Sequence, residues 1–229
     1  MSRALADATW PQLDGLGRDA VLAVPVGSTE QHGPHLPLST DTDIAVAIAE
    51  ELARRRPQVL VAPAIAYGSS GEHAAFAGTL SIGQEAIERM LVELGRSACA
   101  TFARVVFVSA HGGNREPVLR AQRRLRDEGR DVRALFVEWP GDAHAGRTET
   151  SVMLALAPQR VRMPLADAGE TAPIAELMPR LVTGGVRAVS ANGVLGDPTH
   201  ASADAGRALL AEAGADAARL VDEWPRERA

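Results

Sequence analysis

Gly27-Ser28-Thr29-Glu30-Gln31-His32-Gly33-Pro34-His35-Leu36-Pro37-Leu38-Ser39-Thr40-Asp41 is the stretch on which the reading of this chain turns. An apolar run, Val21 to Val26, leads into it, and an amphipathic helical pattern from about Asp43 to Arg56 leads out. It therefore reads as the loop joining a buried strand to a helix. Glu30, His32, His35 and Asp41 crowd into it, and its prolines and glycines restrict how it bends. Connections of this kind ordinarily run about 2–6 residues and carry far less chemistry. A long, stiff loop bearing two carboxylates and two imidazoles points to a metal site.

Outward from this loop, strand-like and helix-like segments alternate. Residues 20–26 predict a strand. Residues 43–56 predict a helix, with Ile44, Ile48 and Leu52 on one face and Pro57 at its end. Residues 59–65 predict a second strand, where Pro63 marks an edge or an end. The loop 66–81 holds Tyr67, Glu72 and His73; residues 84–102 predict a helix. Arg104 to Ser109 is a buried strand that runs straight into Ala110-His111-Gly112-Gly113-Asn114. A helix follows as far as Gly129, with Asn114 as its N-cap. Residues 132–137 predict a fourth strand, followed by a glycine-rich loop over 140–147 and a short helix to Ala157. Residues 160–200 read as irregular, with short strands near Val161 and over 186–189; residues 201–224 read as a helix. No repeat or shift of composition divides the chain, so one domain over 1–229 is expected. The alternation predicts an α/β fold, a mainly parallel sheet flanked by helices on both faces.

Composition bounds the function. The 229 residues are 46% hydrophobic and 23% charged, ordinary for a globular protein. A formal net charge of −5 and the lack of a basic tract argue against nucleic acid as the main partner. The single cysteine excludes an intramolecular disulfide and a thiolate metal site. Met1 to Asp14 shows no signal-peptide pattern, and no apolar run approaches the roughly 18–20 residues a membrane helix needs. No membrane partner and a cytoplasmic location are expected.

In parallel sheets, ligands bind beyond the carboxyl ends of the strands. Glu30 and His32 follow the first predicted strand, His73 the second, His111 the third, and His144 and Glu149 the fourth. All of them can meet at one rim. Each has a plainer alternative. Asp41 could be a helix N-cap, His111 with its glycines a phosphate-binding turn, and His35 a hydrogen-bonded loop residue. Tyr67, His73 and Trp139 could be packing residues, as Trp10 and Trp224 are expected to be. Glu149 could be a first-turn acid that complements a helix dipole. The set Glu30, His32, Asp41 and His111 is poorly explained by such readings taken together. A donor set of imidazoles and carboxylates suits Zn²⁺, Mn²⁺ or Fe²⁺. Its carboxylate content suggests two divalent ions bridged by one carboxylate, which is machinery for hydrolysing an amide-type bond.

The motifs resemble those of the creatininase family of metal-dependent amidohydrolases. They are Gly27 to His35 with Thr40-Asp41-Thr42, Gly71-Glu72-His73 with Gly78-Thr79, His111-Gly112-Gly113-Asn114, and His144-Ala145-Gly146 with Glu149-Thr150-Ser151. They cover roughly residues 20–200 in the family's order. The resemblance implies a three-layer sandwich, a homo-oligomer and two divalent ions (Zn, Fe or Mn). It implies that Glu30, Asp41 and His111 hold one ion, and that His32, the bridging Asp41 and a further Glu hold the other. It implies that His144 is a catalytic histidine passing a proton to the leaving nitrogen. Creatininase itself carries a Glu at the position of Gly113; relatives with His-Gly-Gly-Asn take that carboxylate from the position of Glu149. A second departure is Ser109-Ala110, where relatives often have Asn-Gly. Tyr67, Glu72, His73, Asn114 and Trp139 are the candidates to contact substrate. Ala62 to Gly68, Ser70 to His73 and Gly193 to Pro198 look closest to family members that trim a precursor peptide, removing a C-terminal Val-Tyr dipeptide. The alternatives are hydrolysis of a small cyclic or formyl amide, or an inactive metal-binding scaffold.

Overall fold

The computed structural model describes residues 3–17 and 19–224; the expected domain span of 1–229 and the reading of Met1 extend outside the described residues. Its centre is a wholly parallel sheet of β1 (Val21–Val26), β2 (Val59–Val61), β3 (Arg104–Ser109) and β4 (Val132–Phe136), in the order β2-β1-β3-β4. The register pairs Val21 with Val59, Val26 with Ser109 and Val105 with Val132. The helices are α1 (Trp10–Asp14), α2 (Thr40–Arg55), α3 (Gly83–Ala98), α4 (Arg115–Asp127), α5 (Arg147–Leu156), α6 (Ile174–Gly184) and α7 (Ala203–Asp222).

The period-two alternation of strand side chains sorts the core into two faces. Val21, Ala23, Val59, Val61, Val106 and Val108 pack with Ile44, Ile48 and Leu52 of α2, Val152 and Met153 of α5, and Val221 of α7. Leu22, Val24, Val26, Leu60, Val105, Phe107 and Val132 pack with Ile87 and Leu91 of α3 and Val118, Ala121 and Leu125 of α4. The result is three layers, helices on both faces of one sheet. Burying each such Val, Leu or Ile contributes about 1.5–3 kcal/mol.

This topology positions the site. From β1 the chain crosses by α2 to β2, which flanks β1 on one side; from β2 it crosses by α3 to β3, which flanks β1 on the other. The helices that follow β1 and β3, α2 and α4, lie on opposite faces, so the loops after β1 and β3 diverge and leave a crevice beyond the strand ends. The quoted loop leaves β1 there, and His111 leaves β3 there.

Several local expectations are corrected. The second strand stops at Val61 rather than at residue 65, because Pro63 has no amide hydrogen for a ladder. The chain rejoins β1 at Ile65, whose N–H donates to the Pro25 carbonyl at 2.9 Å. No strand forms near Val161 or over 186–189; Val186–Ala188 is a 3₁₀ turn, and Val161 closes another over Pro158–Arg160. Within the stretch read as irregular, α6 forms despite an internal Pro179. Asn114 stands at the N-cap of α4, but its side chain caps nothing. Trp10 is 77% exposed and so is no packing residue, whereas Trp224 is buried and its indole N–H donates to Asp131 at 2.6 Å.

Candidate metal centre

The rim beyond β1 and β3 gathers Glu30, His32, Asp41, His73, His111 and His144, all buried. Asp41 lies in the first turn of α2, but the N-cap position is Ser39. The Asp41 carboxylate turns inward instead. Its Oδ1 lies 3.0 Å from His32 Nε2 and its Oδ2 3.2 Å from His111 Nδ1, and Ser28 Oγ donates to Oδ2 at 2.6 Å. The N-cap alternative for Asp41 is thereby replaced by a position between two imidazoles. Glu30 Oε2 lies 3.4 Å from His111 Nε2. Glu149, from the first turn of α5, brings Oε2 to 4.0 Å from His32 Nε2 and accepts the Ala145 N–H at 2.6 Å. That amide belongs to a residue at φ 52, a left-handed conformation uncommon for a residue with a side chain.

Backbone carbonyls fix three of the imidazoles. His32 Nδ1–H donates to the Glu30 carbonyl at 3.1 Å, His111 Nε2–H to the Ser69 carbonyl at 2.8 Å, and His144 Nε2–H to the Gln31 carbonyl at 2.8 Å. Each ring's second nitrogen is left for the centre. A histidine anchored this way is the usual arrangement around a metal ion. For His32 and His111 that second nitrogen faces an Asp41 oxygen, so two lone-pair-bearing atoms meet unless a proton or a cation lies between them.

The electrostatics agree. Burial opposes the imidazolium at both His32 and His111, yet the neighbouring carboxylates outweigh it and push both up to about 10. Burial also works against the Asp41 anion, but His32 and His111 hold it well below the usual carboxylate range. Burial raises Glu30 to about 7 and raises Glu149. Burial and then the charge on His32 lower His73 to about 3 and His144 well below its ordinary value. Protons held between carboxylates and imidazoles are what a divalent ion displaces on binding.

Among the described residues, three groups of side chains are spaced to hold an ion: Glu30, Asp41 and His111; His32, His144 and Glu149; and Glu30, His73 and His144. Among the described residues Glu30 Oε2 is buried with no hydrogen-bond partner, a carboxyl oxygen that water or protein would ordinarily satisfy. The residues therefore fit a metal. Gly113 has no room for a carboxylate: a Cβ there would collide with the Ser69 carbonyl and come within 2.6 Å of His111 Nε2.

The other sequence candidates fare unevenly. Trp139 lines a cleft of about 620 Å³ that also borders Glu149, Thr148, Ala172, Pro173 and Ile174. Tyr67 is 49% exposed and is not part of that lining. The Asn114 amide is fully buried and tied to backbone: Oδ1 accepts from Ser69 N at 2.9 Å and Nδ2 donates to the Gly27 carbonyl at 2.8 Å. Its side chain braces the loops after β1 and β2 rather than facing the cleft. Glu72 is half-buried beside Gly113. His35 is a buried loop histidine hydrogen-bonded to Thr150 Oγ1 at 2.8 Å. Sequence reasoning missed Ser28 and Gln31. Gln31 lies between two recognised residues, but its partner Gly193 is far away in the chain, so spacing gives no signal of it.

A parallel sheet with a buried Glu/Asp/His centre at its switch point defines a class of protein: the chain belongs to the creatininase family and is a metal-dependent hydrolase. The family model, described as creatinine amidohydrolase, matches residues 6–221. The mycofactocin precursor peptide peptidase of Mycobacterium ulcerans (strain Agy99) is 50% identical over 226 residues, covering 95% of this chain and 87% of that protein. A creatininase in its Mn form superposes with a TM-score of 0.83 at 26% identity, over 99% of this chain and all 100% of the other. A mutant creatininase of Zn-Zn type gives a TM-score of 0.81 at 25% identity, over 99% and 100% of the two chains.

Proposed function

We propose that this chain is a peptidase acting on the mycofactocin precursor peptide, with the C-terminal Val-Tyr dipeptide as the piece released. The observation that carries the reading is the 50% identity, over 95% of the chain, to a peptidase of that name, against 26% to the Mn form of creatininase. The filled space around Gly113 also separates the chain from creatininase proper and weighs against a small cyclic amide as substrate. In this reading Glu30, Asp41 and His111 hold one divalent ion, and His32, Asp41 and Glu149 a second; Zn, Fe and Mn all suit the donors. A homo-oligomer in the cytoplasm completes it. No helix of the described residues is long and apolar enough to cross a membrane.

When bound, a pair of ions lowers the pKa of a water and polarises an amide carbonyl. The chain's own residues supply the rest. His144 is kept neutral by burial, and its Nε2–H is engaged by the Gln31 carbonyl. Nδ1 is therefore the atom that takes a proton and hands it to the leaving nitrogen. The cleft beside Glu149 offers an apolar wall of Trp139, Pro173 and Ile174 to side chains flanking the bond.

Mass spectrometry of the precursor peptide after incubation with the purified protein tests the proposal. A shortened peptide and Val-Tyr are expected, lost on chelation and restored by Zn²⁺, Fe²⁺ or Mn²⁺. Hydrolysis of creatinine or a formyl amide with the peptide untouched would move the chain to the small-amide class, and no turnover of either by metal-loaded protein would make it a scaffold. Glu149→Gln tests the second ion. It should bind about one metal per chain instead of two, by elemental analysis, and stay folded. If Glu149 only complements the α5 dipole, metal content stays at two and stability falls by about 0.3–1 kcal/mol.

A further inference from the structure

His73 belongs to one of the three groups spaced to hold an ion, with Nε2 at 3.4 Å from Glu30 Oε1 and its ring 4.4 Å from that of His144. Whether it can ligate depends on which of its nitrogens carries the proton. The Gln31 side chain answers this. Gln31 Oε1 accepts the Gly33 N–H at 2.9 Å, and Gln31 Nε2 donates to the Gly193 carbonyl at 3.1 Å. Both partners are backbone groups of fixed polarity, so the orientation of the amide is settled without reference to any histidine. Gly193, at φ +81, packs so closely on this amide that a side chain there would overlap it. Gln31 Nε2 is also 3.1 Å from His144 Nε2, but that nitrogen carries the hydrogen given to the Gln31 carbonyl and cannot accept, so the second amide hydrogen points at His73 Nδ1, 2.8 Å away. Nδ1 must accept it, which leaves the ring hydrogen on Nε2, facing Glu30. A nitrogen that carries a hydrogen has no lone pair for a metal. His144 provides the contrast: its Nε2–H is used by a carbonyl, and its Nδ1, 3.8 Å from Glu30 Oε1, carries no hydrogen.

We propose that the Gln31–His73 pair is a positioning device for Glu30, in which His73 Nε2–H is directed at Oε1 and leaves the unpartnered Oε2 for the ion shared with Asp41 and His111. His73 is then neither a ligand nor a substrate contact. The pair also closes off the group formed by Glu30, His73 and His144 as a cation site. The device rests on the metal reading above, and the test separates the two.

The experiment compares wild type, His73→Phe and His73→Gln, stripped of metal and titrated with Mn²⁺ alone, by electron paramagnetic resonance of the free ion. Wild type should bind two ions, and failure to bind any would reject the metal reading itself. His73→Phe keeps a ring of similar size but no donor; one ion should bind about 10–100-fold more weakly and the other should be unchanged. His73→Gln restores an N–H near Oε1 and should recover most of that loss. Unaltered Mn²⁺ binding in His73→Phe overturns the proposal, as does outright loss of one ion that His73→Gln does not recover, which would make His73 a ligand. If His73→Phe fails to fold, Gln31→Glu serves in its place. It replaces the donor to Nδ1 by an acceptor and draws the ring hydrogen to Nδ1. The same single ion should weaken; two unaltered ions there would equally overturn the proposal.

Discussion

Asp41→Asn should empty both ion sites at once while leaving the chain folded. The carboxylate faces His32 through one oxygen and His111 through the other, so a single substitution touches both groups of donors. Asparagine is as good as aspartate near a helix N-terminus, differing by a few tenths of a kcal/mol at most. A loss traced to capping is therefore not expected, and the N-cap of α2 is Ser39 in any case. The amide can still accept from Ser28 Oγ with its oxygen, but its nitrogen brings hydrogens to whichever imidazole it faces. Elemental analysis should find well under one ion per chain. Hydrolysis should fall by more than the roughly 10–100-fold typical of losing an outer partner of a metal ligand. Two ions retained with normal turnover would show that Asp41 bridges nothing. The metal-free variant should also unfold more readily than metal-free wild type, because two imidazoles lose the buried carboxylate that holds their protons, a change on the order of 3–5 kcal/mol.

His144→Ala should do the reverse, keeping both ions and losing roughly 10²–10⁴-fold in rate, the usual worth of a positioned proton-transfer group. Its loop does not depend on the imidazole. The His144 backbone is tied to Leu195 in both directions, with Leu195 N–H donating at 2.8 Å and His144 N–H donating at 3.2 Å. Asp142 accepts the Arg147 N–H and closes the same turn. The ring itself stands 4.3 Å from that of His32, centre to centre, so its removal leaves space that water can fill. The spacing of His32, His144 and Glu149 allows a competing outcome. Should metal content drop to one in His144→Ala, the residue is a ligand and the proton carrier has to be sought elsewhere.

Much of the rim was legible in the chain because order along a parallel sheet is also order in space. Residues that follow successive strands arrive at one edge, and the apolar runs Val21–Val26 and Arg104–Ser109 mark those strands without ambiguity. That is why the sequence alone places Glu30, His32, His73, His111, His144 and Glu149 at one rim, with Asp41 at the entry of the following helix. The same logic fails where structure is not periodic. The α6 helix lies within the stretch that reads as irregular: Pro179 interrupts it, and its apolar Ile174, Met178 and Val182 are exposed rather than marking a core face. Tyr67 and Asn114 belong to motifs, and a motif does not say which way a side chain turns.

What the sequence alone determined is the set of chemical groups and the edge at which they meet, since both follow from residue type and strand order. The tertiary structure decided what each group is free to do. Gln31 reaches Gly193, 162 residues away, His111 reaches the Ser69 carbonyl, 42 residues away, and Gly113 is pressed against that same carbonyl. Those contacts set which imidazole nitrogen carries a hydrogen, which carboxylate oxygen stays unpartnered, and where a side chain has room. The physical reason is that a hydrogen bond depends on the direction of a donor at about 3 Å, and for these rings the donor or acceptor comes from a part of the chain that no local pattern brings near.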